Sequence, residues 1–294
     1  RCGNRPLIVL NDMSEQFYKV DKLPIVRNPL DRNSLIKNKV RVAFPQYKMV
    51  GSSYQTDKLT GQKESGARVI MAAIPSSQKI QRINNVLNYS GLHILGVGLL
   101  PVESASMVSA LSKSLNKNRD KARNNWTVFI AQNSNGGLRQ IVTKNDQMAL
   151  TRMTPLVNTD DEPEVWSSEV SQELKATMTY LTRFDYKDGD NLEVIVVSNP
   201  TAGQILEGLV DISCNYYSMT VHQVAERLGV KLDNSEETKF VDPVHIRWSA
   251  DKLSFDMDFK AKEVERVANA RLTAVAASIL LFFSLVYFVF SATS

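Results

Sequence analysis

Short apolar runs alternate with amphipathic stretches along the first 230 residues of the chain. The apolar runs have the length of strands, and the stretches between them repeat apolar residues at the spacing of helices. The clearest buried strand covers residues 192–197, and the clearest helix carries an apolar stripe from Trp166 to Leu181. Strands that alternate with helices in this way indicate an α/β fold.

In the first half, residues 6–10 and 17–20 are predicted to form a hairpin. A helix follows with Asp31 as its N-cap, and it ends before Pro45 because proline cannot continue a helix. The other predicted elements of this half are strands at 68–74 and 93–99, a helix that Ser76 caps, and a helix after Pro101.

The second half begins with three predicted strands, at residues 126–131, 138–143 and 148–153, joined by turns rich in Asn, Gly and Asp. A helix from Pro163 and the strand at 192–197 follow. Two capping boxes, Thr201-x-x-Gln204 and Thr220-x-x-Gln223, predict two more helices, the second of which ends at Gly229. Each half thus has strands followed by helix, strand and helix, which indicates a duplication.

The C-terminal region has a different pattern, because residues 272–292 form an uncharged run of 21 residues, LTAVAASILLFFSLVYFVFSA. This length suffices for one membrane-spanning helix. Lysine and arginine residues are concentrated before the run and none follows it, which predicts that the N-terminal part lies in the cytoplasm.

Two segments are candidates for interactions. Residues 251–271 are predicted to form a juxtamembrane connector helix, and its apolar seam of Val264, Val267 and Ala268 is either simple packing or a surface that pairs with a partner helix. The second candidate is a basic stretch that reads either as solvated surface or as a contact for anionic lipid headgroups; its cations are Lys113, Lys117, Arg119, Lys121 and Arg123.

The composition narrows the possible functions. The chain has 294 residues, 43% of them apolar and 22% charged, as in folded globular proteins of about two domains. A net charge of +4 is too balanced for a protein that must neutralise many phosphates. The two cysteines and three histidines have no metal-ligand spacing, and no P-loop or nucleophile-elbow motif occurs, so we expect no metal site.

The duplicated pattern resembles the actin-like ATPase superfamily, whose halves have a ribonuclease-H-like fold. The resemblance rests on the segments Gly136-Gly137-Leu138-Arg139-Gln140-Ile141-Val142 and Leu92-x-Ile94-x-Gly96-x-Gly98-x-x-Pro101-x-Glu103. Together with a single span, it is similar to the actin-like cytoplasmic platform proteins of type IV pilus and type II secretion machines, the PilM-like and GspL-like proteins. It implies a place in the bacterial inner membrane, and as partners an assembly ATPase and other platform subunits.

In that superfamily two hairpins wrap the phosphates of ATP with backbone N–H groups, and carboxylates hold the metal through water. The resemblance assigns Asp12, Gly136 and Gly137 to such a site if nucleotide binding is retained. Met13 follows Asp12 where a close approach to phosphate needs glycine, and the second hairpin has no acid at its strand end. We therefore expect no enzymatic activity and no cofactor, ATP included.

These observations divide the chain into a first actin-like subdomain at 1–122, a second at 123–250, the connector at 251–271 and the span at 272–292. The leading hypothesis is a homo- or hetero-oligomeric inner-membrane scaffold that docks cytoplasmic components of a pilus or secretion machine. The alternatives are a membrane-tethered actin-like ATPase and a membrane-anchored regulator that senses a ligand between the subdomains.

Overall fold

A computed structural model describes residues 7–57, 66–89, 94–117, 123–232, 238–250, 255–257, 259, 273 and 276–286. Three β-sheets organise this part of the chain, one with five strands, one with three and one with two. The five-stranded sheet belongs to the second half, and the two smaller sheets belong to the first half.

The first half contains two parallel strands and a separate antiparallel sheet. Its elements are β1 (Leu7–Asn11), β2 (Phe17–Leu23), α1 (Pro29–Ala43), β3 (Met49–Asp57), β4 (Gly66–Ile74), α2 (Gln78–Tyr89), β5 (Ile94–Leu99), α3 (Leu100–Glu103) and α4 (Ala105–Leu115). β1 pairs in parallel with β5, and β4 lies between β2 and β3, antiparallel to both.

The second half forms one sheet in the order β10-β9-β6-β7-β8. Its elements are β6 (Asn125–Asn133), β7 (Gly137–Lys144), β8 (Gln147–Pro155), α5 (Pro163–Leu181), β9 (Asn191–Val197), α6 (Pro200–Leu209), β10 (Asn215–Met219), α7 (Val221–Leu228) and α8 (Asp242–Ala250). β6, β7 and β8 are antiparallel, whereas β6, β9 and β10 are parallel.

Both faces of the five-stranded sheet are buried, since successive strand residues point to opposite faces. On β6, Val128 and Ile130 pack against α5 and α6, and Phe129 and Ala131 pack against α4, α7 and α8. The helix α4 belongs to the first half by chain order, yet its Leu111 is fully buried on this sheet.

The three-stranded sheet of the first half is covered on both faces as well. Val69 and Met71 of β4 face α1. Ile70 and Ala72, on the other face, pack into a cluster with Val97 and Leu99 of β5 and with Met257 and Phe259 from the C-terminal region.

Several predicted elements are confirmed. The three strands that open the second half and β4, β5 and β9 lie where the apolar runs place them. The capping box at Thr220 is present, because Thr220 Oγ1 accepts from the Gln223 N–H and Gln223 Oε1 accepts from the Thr220 N–H. The helix α7 ends at Gly229, whose φ of 68° suits glycine.

The predicted hairpin between the first two strands is wrong. β1 pairs with β5, and all seven residues of β2 pair with β4. The turn between β1 and β2 redirects the chain, because the Met13 N–H donates to the Asn11 side chain and the Gln16 side chain donates to the Asn11 carbonyl.

Three predicted helix starts are also wrong. The N-cap of α1 is Asn28 and not Asp31, and the N-cap of α6 is Asn199 and not Thr201. In both places the cap precedes a proline, whose fixed φ suits the first helical position. The helix α2 begins at Gln78, where Ser77 rather than Ser76 accepts the Ile80 N–H. The strands β3 and β10 and the helix α8 have no counterpart in the sequence-based prediction.

Some predictions concern residues outside the described part. These are the seam of Val264, Val267 and Ala268, the cations Arg119 and Lys121, and most of the connector helix predicted at 251–271, of which residues 255–257 and 259 are described and are not helical. Of the predicted span, residue 273 and residues 276–286 are described, and they are helical with exposed side chains. Among the residues that the structure describes, no helix has both the length and the apolar character that crossing a membrane requires.

The two candidate caps of α6 can be tested against each other. Asn199→Ala removes the acceptor of the Ala202 N–H, so we expect the free energy of unfolding to fall by about 1 to 2 kcal/mol. Thr201→Ala, at an exposed position two residues later, should change it by less than about 0.5 kcal/mol. Urea unfolding of both variants measures the difference, and a larger loss for Thr201→Ala would restore the predicted capping box.

Candidate functional site

The turn between β1 and β2 meets the turn between β6 and β7 at the junction of the two halves. Asp12 lies in the first turn, and Asn133 and Asn135 lie at the second. Arg139 reaches the same place from β7. The junction therefore brings Asp12 close to Gly136 and Gly137, the three residues that the family resemblance assigns to a phosphate site if nucleotide binding is retained.

Asp12 is held by three side chains of the second half. Arg139 Nη2 lies 2.5 Å from Asp12 Oδ1, Asn133 Nδ2 donates to Oδ2 over 2.7 Å, and Asn135 Nδ2 donates to Oδ2 over 2.9 Å. The Arg139 side chain is only 3% exposed and that of Asp12 is 16% exposed. A buried charge is stable only when it is paired, and Asp12 and Arg139 are each other's counterions, although Arg139 Nε has no hydrogen-bond partner among the described residues.

The first turn is shaped by its own hydrogen bonds. Gln16 Nε2 donates to the Asn11 carbonyl over 3.0 Å, and Gln16 Oε1 accepts from the Tyr18 hydroxyl over 2.5 Å. Burial raises the pKa of Tyr18 above its usual range, and the Asp12 charge adds to this shift while Arg139 opposes it. Tyr18 is thus a neutral donor that fixes Gln16 and, through it, the turn that carries Asp12.

The two glycines of the second turn have structural roles. Gly136 has a φ of 85°, which glycine adopts without strain, and its N–H donates to the Asn133 carbonyl. The Gly137 N–H donates to Asn135 Oδ1 over 3.2 Å. A side chain at Gly137 would collide with Met153, whose sulfur accepts from Arg139 Nη2 over 3.1 Å. Both backbone N–H groups are therefore used inside the protein.

The helix α8 covers the same junction from the other side. Asp242 accepts from the Ser134 N–H over 2.9 Å and from the Ser134 hydroxyl over 3.0 Å. His245, further along α8, is fully buried, with its Nδ1 2.6 Å from the Ser104 hydroxyl. Burial, and secondarily the charge of Arg139, lowers the pKa of His245 to about 3, so the imidazole is neutral at physiological pH.

These residues fit a metal-bound phosphate poorly. Both Asp12 oxygens already accept hydrogen bonds from the second half, and Met13 stands where a phosphate would need the bare backbone. A cleft of about 510 Å³ does open beside Asp12, Gly136 and Met153. Within the described residues no group of three or more His, Cys, Asp or Glu side chains is placed to hold a metal ion.

The other candidate residues do not join this site. Lys113 forms an ion pair with Asp146 at 2.7 Å, and the Arg123 guanidinium donates to the Gly189 carbonyl over 3.2 Å. Lys117 is exposed just beyond α4. The basic stretch thus lies at the surface, in contact with the second half at two described points.

Sequence reasoning missed the partners of Asp12. Arg139 was part of the motif that carries the family resemblance, but its pairing across 127 residues has no local signal. The only available sign is an arginine in the middle of a buried strand, because such a charge needs a partner. His245 is one of the three histidines without metal-ligand spacing, and the structure buries it completely.

Comparison with known proteins bears on the fold. No protein-family model matches the chain, and no curated protein is significantly similar to it in sequence. A solved structure described as the PilM-PilN type IV pilus biogenesis complex is similar over 83% of this chain and 79% of that chain, at 11% identity and a TM-score of 0.55. The chain thus shares its overall fold with that protein.

Two further structures match at lower TM-scores. One is a Bacteroides thetaiotaomicron protein with an actin-like ATPase fold and unknown function, with 9% identity over 77% of this chain and 74% of that one and a TM-score of 0.36. The other is the ethanolamine utilization protein EutJ from Carboxydothermus hydrogenoformans, with 11% identity over 53% of this chain and 61% of that one and a TM-score of 0.31.

The Asp12–Arg139 pair should contribute far more stability than a surface pair of equal length. Asp12→Ala leaves Arg139 buried without its counterion, so we expect a loss of roughly 3 kcal/mol in the free energy of unfolding. Asp21→Ala is the matched control, because Asp21 lies 2.5 Å from Lys39 in a pair with 41% and 30% exposed side chains. That change should cost less than about 1 kcal/mol. Equal losses in chemical unfolding would contradict the structural role of the buried pair.

The low pKa of His245 predicts a loss of stability in acid. The unfolded chain binds a proton near pH 6.5, and the folded chain does so only near pH 3, so lowering the pH through this window favours unfolding. For one such group, each pH unit below 6.5 lowers the free energy of unfolding by about 1.4 kcal/mol. Unfolding at pH 7, 6 and 5 should show a shallower decline for His245→Gln than for the parent chain. The control His222→Gln, at an exposed position, should show the same decline of stability with pH as the parent chain. The same decline in His245→Gln would contradict a buried, neutral His245.

Proposed function

We propose that this chain is a non-enzymatic scaffold subunit of a type IV pilus or type II secretion-like machine in the bacterial inner membrane. The observation that carries the proposal is the fold similarity to the PilM-PilN type IV pilus biogenesis complex over most of both chains. That structure is of a complex in type IV pilus biogenesis, and we propose a role of the same kind for this chain.

The Asp12–Arg139 pair supports the non-enzymatic part of the proposal. Phosphate transfer needs positive charge and backbone donors that are free to meet the phosphate oxygens. In this chain a guanidinium neutralises the carboxylate, and the Gly136 and Gly137 N–H groups donate internally. In an actin-like ATPase, nucleotide and metal connect the two halves. We propose that the protein side chains at the junction make this connection here.

The C-terminal pattern supports the membrane part of the proposal. Residues 272–292 have the length of a span, and the cations that precede them favour a cytoplasmic N-terminal region. In this arrangement the actin-like domain docks an assembly ATPase or a polytopic platform protein. The single span then transmits movements of that domain across the bilayer. The juxtamembrane seam and the basic stretch are the surfaces where such contacts are proposed.

The test is extraction of the intact protein from its own membranes in mild detergent, affinity purification and mass spectrometry of the assembly. We expect a secretion-type ATPase and a polytopic membrane protein to co-purify in fixed stoichiometry. Magnesium and ATP should leave the melting temperature of the purified chain unchanged, since only a ligand that binds the folded state raises it. A lone monomer that carries nucleotide would overturn the proposal in favour of a membrane-tethered ATPase.

A further inference from the structure

The C-terminal region returns to the first half after α8. Met257 and Phe259 are almost completely buried in the cluster that β4 and β5 form. The Phe259 N–H donates to the Val97 carbonyl over 3.3 Å, and the two residues form an antiparallel bridge beside β5. The described part of residues 255–259 therefore packs as an added edge of the first half, although chain order attaches it to the second half.

A single buried carboxylate holds the backbone of this segment. Both oxygens of Glu103 lie within 3.1 Å of the Asp256 N–H, and Oε1 also accepts the Met257 N–H over 3.1 Å. Glu103 is 1% exposed and stands at the end of α3, directly after β5. Hydrogen bonds from backbone N–H groups to a buried carboxylate are stronger than those between neutral groups.

Three glycines on two sheets make room for the side chains of the segment. A Cβ on Gly96 or Gly98 would lie 2.6 or 2.7 Å from the Phe255 ring, closer than real Cβ contacts allow. A Cβ on Gly51 of β3 would lie 2.9 Å from both Met257 and Phe259. The surface that receives residues 255–259 is thus shaped for aromatic and thioether groups at these positions.

We propose that residues 255–257 and 259 form an anchor that fastens the membrane-proximal part of the chain to the first half, with Glu103 as its positioning residue. In chain order, residues 260–271 connect this anchor to the proposed span. A movement of the span is therefore transmitted to β5 of the first half, and not to the second half through α8. This role rests on the proposed function, but the attachment itself is measurable in the isolated chain without any partner.

Hydrogen exchange of the full chain in lipid nanodiscs tests the attachment. In the parent chain the Asp256, Met257 and Phe259 amides should be protected. Glu103→Ala should speed their exchange at least about 10-fold, because hydrogen bonds to a charged acceptor are lost. Glu103→Gln keeps one acceptor oxygen and should give an intermediate rate, a partial rescue that separates positioning from general loss of structure. The Val196 amide, inside the sheet of the second half, should keep its rate.

A second variant tests the anchor independently if Glu103→Ala fails to fold. Gly96→Ala places a methyl group under the Phe255 ring and should release the segment while Glu103 is intact. Gly208→Ala is the matched control, because a Cβ there meets nothing within 4 Å. Parental exchange of residues 255–259 in both Glu103→Ala and Gly96→Ala would overturn the anchor, and so would unprotected amides in the parent chain. Either result can coincide with intact co-purification of partners, so the anchor and the scaffold proposal fail separately.

Discussion

The ion pair between Asp12 and Arg139 is the constraint on which the junction of the two halves depends. A guanidinium in the middle of a buried strand must have a counterion, and Asp12 of the first half supplies it. The ion pair places the first turn against the second, where the side-chain amides of Asn133 and Asn135 donate hydrogen bonds to Asp12. The contact between the two turns is thus made by side chains of the protein itself.

The helix α8 contributes to the junction from the C-terminal side. Asp242 joins the start of α8 to the second turn, and His245 is a neutral ring that contacts the Ser104 hydroxyl and the Phe129 ring. A neutral imidazole suits this place because a second cation beside the guanidinium would raise the electrostatic cost of burial. The junction thus combines one paired charge with neutral polar groups.

The sequence predicted what depends on neighbouring residues. The strands of the second half follow from apolar runs and turn residues, and the Thr220 capping box follows from a four-residue motif. The caps at Asn28 and Asn199 were missed because Asp31 and Thr201 are also good capping residues, and only the proline after each asparagine decides. Asp12 was found by resemblance, but its pairing with Arg139 depends on the tertiary fold and has no periodicity to reveal it.

The two halves also exchange elements in both directions. The helix α4 leaves the first half to cover the sheet of the second, while Met257 and Phe259 leave the second to fill the cluster of the first. Neither half can therefore bury its own apolar surface when it is separated from the other. The consequence is cooperativity: we expect the halves to unfold as one unit, since a cut in the chain between α4 and β6 would divide hydrophobic clusters that both halves share.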